Sequence, residues 1–303
     1  MKSLAFLLAG AALMCAQTDF DQLVDRYFDD LFRLNPSNGT AAGFHQYDSQ
    51  LENYSSKANQ ERIAVDSKYL AEFEKVAPSP DRDIVIAHIH GDLLSLENIR
   101  PWEKNPDYYS SSVTSSIFGL ISRKFAPPAD RLKSVIAREK LIPQVFVEAR
   151  LLLKNPPKIY TEIAISQLPG NESFFANDVP LAFKDVTDKA LLAEFKTVNQ
   201  QVIDSLKSYE TFLKTDLLAR SHGDYRIGAE NFRKKLAYDE MIDIPLDRLL
   251  KIGYDNLHAN QHALIEVAKQ IDPTKTPRQV SEELFKEHPA PDQLLQSFRD
   301  TFT

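Results

Sequence analysis

The sequence predicts an all-α fold, and three observations carry that prediction. Glycine is scarce, nine in 303 residues, whereas Rossmann folds and β-sandwiches use glycine at their tight turns. Apolar residues recur at spacings of three and four along most of the chain. The 17 prolines fall mostly between those periodic segments, where they start or stop helices. With 43% hydrophobic and 26% charged residues, the chain matches a soluble globular composition and can bury a sizeable core.

Residues 1–16 read as a secretory signal. Lys2 supplies the positive start and Leu4 to Leu13 the apolar run. That run falls short of the ~20 apolar residues a membrane-spanning helix needs, so no stable membrane insertion is expected after cleavage. Ala16 is the expected last residue of the signal, with a mature region over 17–303. Cys15 is the single cysteine. A lipidation box wants a small residue just before the cysteine, and Met14 stands there, which argues against lipid attachment. Removing the signal leaves no cysteine, hence no disulfide, Cys-rich zinc site, iron–sulfur cluster or thiol nucleophile. A periplasmic or secreted bacterial protein fits. The 36 basic and 43 acidic residues give a net charge of -7. Nucleic-acid binding needs a basic face, and the densest basic site is only Arg233-Lys234-Lys235.

About ten helices follow, several of them long. Phe20, Leu23, Val24, Tyr27, Phe28, Leu31 and Phe32 form a helical stripe that Pro36 ends. A polar loop is expected over 35–55, then helices over 57–77 and 81–99. Residues 100–109 read as an aromatic, Pro-punctuated loop, and 113–123 as a short helix. A long helical segment spans 128–154 with a kink at Pro143. Residues 157–180 form a helix broken at Leu168-Pro169-Gly170. The cleanest pattern is 188–219, where Leu191, Phe195, Val198, Val202, Leu206, Tyr209, Leu213 and Leu217 alternate by three and four. A turn over 220–228 precedes helices at 245–271 and 277–287 and an amphipathic segment from 291. That last segment is still periodic at Phe302 and carries no C-cap, as expected of a helix cut before its end. No internal repeat and no Ser/Gly linker divides the chain.

Three constellations could bear chemistry, and each has a plainer reading. His258 and His262, at i and i+4, share a helix face and can bind zinc. The zinc-peptidase motif, however, needs Glu directly after the first His, and Ala259 stands there. The plainer reading is two half-exposed helix histidines. His88 and His90 would need extended backbone to converge, since i and i+2 face apart on a helix. Gly223 and Gly228 have phosphate-loop spacing, but Ala229-Glu230 follows instead of Lys and Ser/Thr, so a turn entering a helix is preferred. No G-x-S-x-G elbow supports a serine hydrolase. Three glycosylation sequons, at Asn38, Asn53 and Asn171, are chance matches in a bacterial protein. No residue is assigned a catalytic, cofactor-binding or metal role.

The stretch from Phe20 to Pro36, then Gly39-Thr-Ala-Ala-Gly43 and Tyr47-Asp48, resembles a known family opening. So do Arg100-Pro-Trp-Glu-Lys-Asn-Pro-Asp-Tyr-Tyr109, Gln167-Leu-Pro-Gly170, and Arg226-Ile-Gly228 with Glu230. In this order they look like the bacterial domain-of-unknown-function family 885, over Phe20 to Thr303. The resemblance implies an exported, helical zinc metallopeptidase about twice this length, with a His-Glu-x-x-Pro-Gly-His signature in its C-terminal half. No His-Glu pair occurs here, so none of the family's zinc ligands, nor its general base, transfers to a position in this chain. Phe232 stands where the family often has Tyr. The resemblance thus implies the helical N-terminal half of a zinc-peptidase-like fold: a cleft wall that contacts a peptide substrate, with zinc only in the full-length protein. The chain as given is expected not to hydrolyse peptides. The competing reading is a non-catalytic periplasmic module that binds through the aromatic residues at 102–109.

Overall fold

The computed structural model describes residues 19–302, and helices dominate it. The family of elements is all-α: among the described residues there is no β-strand, only an isolated bridge between Pro157 and Gly223. The chain divides into two compact units between Ile242 and Asp243.

In the first unit, α1 is helical over residues 19–34. A short α2, Pro36–Ala41, follows, with Pro36 in its first turn; the expected loop over 35–55 is therefore partly helical. Helix α3, Ser56–Phe73, starts at Ser55, whose hydroxyl accepts from the Ala58 amide. Helix α4, Pro80–Leu93, starts at Ser79 in the same way, with Pro80 at its first position. It runs on into a π-helical turn, Leu94–Ile99. The aromatic stretch is not a loop. Pro101–Lys104 is α5 and Asp107–Ser122 is α6. Trp102 and Tyr109 are buried. The Trp102 ring nitrogen donates to Leu96 O at 3.0 Å, and the Tyr109 hydroxyl to Trp102 O. Burial of both rings turned punctuated sequence into helix.

The segment expected over 128–154 is two helices, α7, Pro128–Glu139, and α8, Ile142–Leu152. The chain breaks at Lys140-Leu141 because Pro143 sits in the first turn of α8, where its missing N–H costs nothing. The opposite happens at Pro169. Helix α9, Lys158–Ser173, passes straight through it and continues as a π turn, Phe174–Asp178. Ala164, Leu168 and Phe175 are fully buried on that element, and their packing outweighs the hydrogen bond that proline removes. After the short α10, Val179–Ala182, α11 spans Lys189–Phe212, capped by Asp188 on the Ala190 and Leu191 amides. Helix α12, Ala229–Asp239, completes the unit.

Two apolar cores form within this unit. The smaller joins Leu23, Tyr27 and Leu31 of α1 to Tyr69 and Phe73 of α3 and Ile89 of α4. The larger is built from α6 to α11, with Val113, Ile117, Val135, Phe146, Leu168 and Val202 among its members. In the second unit, α13, Leu246–Ile271, and α14, Pro277–Leu284, precede α15, Leu294–Thr301. Thr276 and Gln279 form a capping box at the start of α14. Many apolar side chains of this unit are exposed, among them Leu250, Leu264, Phe285 and Phe302.

A buried arginine ties the irregular 36–50 segment to the larger core. Arg138 of α7 has no exposed surface. Its Nε donates to Gln50 O at 2.7 Å and its Nη1 to Ser116 O at 2.6 Å. Its Nη2 reaches Thr40 Oγ1 at 2.5 Å and Tyr47 O at 3.2 Å. Arg138→Met keeps the bulk but strands these acceptors, so a loss of about 3–5 kcal/mol is expected in urea unfolding. A loss under about 1 kcal/mol would remove this role from Arg138.

Next to it, Glu139 is equally buried, and neither carboxyl oxygen has a partner. Burial pushes its pKa up to about 9 from the ordinary 4.5. The acid is therefore neutral in the folded state at neutral pH. Because the folded value lies above the unfolded one, its contribution to stability is full below pH 4.5 and is lost as pH rises through about 9. Glu139→Gln removes that term, so the variant's urea midpoint should fall less than the parent's between pH 5 and pH 8. Parallel curves would contradict the assignment.

Candidate functional site: a polar seam between two cores

Helix α3 carries a stripe at three–four spacing, Asn59, Arg62, Asp66, Tyr69 and Phe73. The last two are aromatic and join the smaller core. The first three are polar and lie in the same register, so folding turns them inward rather than to water. Asn59 and Asp66 are 4% and 2% exposed. Burying polar groups costs free energy unless they are paired, and here the pairing is incomplete. The Asn59 amide nitrogen, Arg62 Nε and the Tyr27 hydroxyl of α1 are all shielded and without a partner.

The groups around Asp66 account for its acidity. Burial, then the nearby Asp92 carboxylate of α4, raise its pKa to about 7 from 3.8, while Arg62 opposes them. The same two carboxylates act on Tyr27, whose hydroxyl is pushed up mainly by burial. Arg62 shares a cavity wall with Tyr108 of α6, whose phenol burial raises while Arg62 opposes it. Tyr54 is buried, which raises its phenol, and it lines the same cavity as Ser112. These side chains form a polar seam from α6 across α3 to α4.

A cavity opens at each end of the seam. One, of about 420 Å³, has Asn35, Asn38, Glu52, Tyr54, Arg62, Tyr108 and the serine face of α6 (Ser111, Ser112, Ser115) in its walls. Glu52 is fixed there by Ser37, whose amide and hydroxyl donate to it at 2.8 and 2.9 Å. The other, of about 490 Å³, lies between α4 and α12. Its walls include Ile84, Ala87, His88, Asp92, Tyr238 and Met241. The two helices approach closely at Gly91, where a Cβ would stand 2.9 Å from Asp239 Oδ1. Glu139 lines neither cavity.

The sequence candidates fall outside this arrangement or enter it in another role. His258 and His262 are both exposed on α13, and His258 stacks on the Tyr254 ring at 6.1 Å. His88 and His90 lie on helical backbone and part company: His88 Nε2 is 3.7 Å from Asp92, and His90 stacks on Tyr238 at 4.8 Å. Gly223 sits against the backbone, its amide donating to Pro156 O at 3.0 Å. A Cβ there would meet Asn155 O at 2.4 Å. Gly228, at φ 83°, precedes α12. The 223–228 stretch is thus a turn entering a helix. Among the described residues no three His, Cys, Asp or Glu side chains gather closely enough to hold a metal ion. The signal region and Cys15 lie outside the described residues. The seam itself was missed in the sequence, although Asp66 and Arg62 stand in register with Tyr69 and Phe73.

His258→Ala combined with His262→Ala should leave the melting temperature and any zinc-induced shift in it unchanged, since both rings are exposed and lack a third ligand. A zinc-dependent rise in the parent that the double variant loses would make them ligands.

The family model described as bacterial protein of unknown function (DUF885) matches residues 36–303. None of the curated proteins compared with the chain matches it. Among solved structures, a Shewanella oneidensis protein described as a "putative lipoprotein of unknown function" superposes with a TM-score of 0.71 at 22% identity. The alignment covers 93% of this chain and 56% of that one, so the chain spans little more than half the length of its structural neighbour, and the likeness is one of fold.

Proposed function

This chain belongs to the bacterial family of unknown function DUF885, and from that premise we propose that it is the helical, substrate-binding portion of an exported peptide hydrolase. The observation that carries the reading is the polar seam. Asn59, Arg62 and Tyr27 keep shielded polar atoms without partners, and Arg62 lines the 420 Å³ cavity. Unpaired buried groups cost stability, and a bound polar ligand would offset that cost. The donors and acceptors of a peptide, with its amides and termini, suit such a lining.

The hydrolytic step is assigned to residues outside this segment. The resemblance implies zinc chemistry for the whole protein, and the part assigned to the side chains here is to bind and orient. Export is supported by the signal pattern at residues 1–16. The structural neighbour is described as a "putative lipoprotein", and in this chain Cys15 is the residue a lipid would modify. Of the aromatic residues at 102–109 that the competing module would use, Trp102 and Tyr109 are buried, and Tyr108 lines the 420 Å³ cavity.

The test combines calorimetry and mass spectrometry on the purified chain with short peptides and added zinc. Peptide binding without cleavage is expected. Chelator-sensitive turnover would overturn the assignment of chemistry elsewhere, and absence of binding would overturn the substrate-binding role.

A further inference from the structure

We propose that residues 51–55 act as a free sheet edge that takes up a peptide in extended form, seated in the groove between this segment and α8, with a basic side chain of the peptide at Glu148. Resting on the peptide reading above, this places the peptide on one stretch of the chain.

Residues 51–54 lie outside any helix, and Ser55 is extended at φ -70° and ψ 157°. The side chains alternate as those of a strand do. Glu52 and Tyr54 stand in the wall of the 420 Å³ cavity. Leu51, Asn53 and Ser55 stand in the wall of another, of about 270 Å³, beside α3. A third cavity, of about 520 Å³, has all five residues on one side and Leu141, Gln144, Val145 and Glu148 on the other. It therefore runs along the edge of the segment rather than against one face. Its volume falls in the ordinary range for a ligand site, about 300–1,000 Å³.

Among the described residues, no backbone N–H or C=O of 51–54 pairs with another backbone group. Such a row of open donors and acceptors is what a sheet edge offers to an added strand. Pro and Lys, which commonly guard edges, do not occur in 51–55. The segment is also held in place before anything binds. Arg138 Nε donates to Gln50 O at 2.7 Å, Ser37 holds Glu52, and Ser55 caps α3. The buried Tyr54 ring lies against Tyr108 and Tyr109, with centroids 5.8 Å away in each case. An edge ordered in advance loses little further entropy when a peptide joins it.

Charge selects the side chain. The groove wall holds two carboxylates, Glu52 and Glu148, and no Lys, Arg or His. Glu52 is engaged by Ser37. Glu148, half-buried on α8, accepts from the neutral Gln144 amide at 3.0 Å, which leaves its charge for a cation. Arg138 lies behind the segment, but its guanidinium nitrogens are taken up by protein acceptors. On the same wall Leu141 and Val145 offer apolar contact to a neighbouring side chain of the peptide.

The probes are the capped peptide acetyl-Leu-Thr-Lys-Thr-Leu-amide and the same peptide with Glu in place of Lys, titrated into the full chain by calorimetry in chelator. The lysine peptide should bind about fivefold more tightly, and Glu148→Gln, which keeps the size of the side chain, should remove that preference. Circular dichroism verifies that the variant folds. Hydrogen exchange, read by mass spectrometry on the fragment spanning 48–56, should slow at least about tenfold with the lysine peptide, because an added strand covers the open amides.

The outcomes separate this seat from the peptide reading. Binding without slower exchange at 48–56 overturns the edge and leaves the peptide reading standing. No binding of either capped peptide overturns the edge, and the short-peptide titration above then decides the peptide reading by itself. Exchange that slows as the chain is concentrated without peptide gives the edge to a second copy and overturns it as a peptide seat. Equal affinity for the two peptides, or a preference that Glu148→Gln retains, overturns the basic side chain at Glu148.

Discussion

The guanidinium of Arg138 is the contact on which the placement of the 36–50 segment depends. That segment holds only a short helix and a single 3₁₀ turn, too little regular structure to satisfy its own carbonyls. Arg138 supplies the missing donors from α7, reaching Gln50, Tyr47 and Thr40 on one side and Ser116 of α6 on the other. Thr40 in turn donates to Asp48 at 2.8 Å, and His45 stacks on Phe125 with centroids 3.9 Å apart. The result fixes Asn35, Asn38 and Glu52 opposite the serine face of α6, which is what makes the 420 Å³ cavity a polar cleft.

The contrast between Arg138 and Arg62 separates scaffold from site. Arg138 is wholly buried and its three guanidinium nitrogens all donate to protein acceptors. Its charge is consumed by the fold. Arg62 is only partly covered, keeps an unpaired nitrogen and opposes the rise in the Asp66 pKa. Buried polar groups left incompletely paired lower stability, and these stand beside two apolar cores whose side chains are fully packed. Glu139 is the exception: it is as buried as Arg138, lies in neither cavity, and nothing in the structure explains its retention.

How much was legible follows from the kind of interaction involved. Periodicity marked α3, α11 and α13 because a helix that buries one face must repeat by three and four. It failed where tertiary packing overrode a local rule. Pro169 reads as a stop, yet the buried stripe of Ala164, Leu168 and Phe175 carries α9 through it. Trp102 and Tyr109 read as loop aromatics, yet each lies on a helix, finds a carbonyl for its polar atom and packs inside. The histidine pairs were visible because motifs are local in sequence. The seam was not, since Tyr27, Asp66, Asp92 and Tyr108 come from four helices and no spacing rule connects them.

By itself, the sequence determined the helical class, the family and the absence of a His-Glu zinc motif in these 303 residues. Each of these depends on composition or on neighbours along the chain. Only the tertiary structure decided which polar residues were spent on folding and which were left unpaired. Partnership of buried groups depends on the packing of distant segments, and a one-dimensional pattern does not contain it.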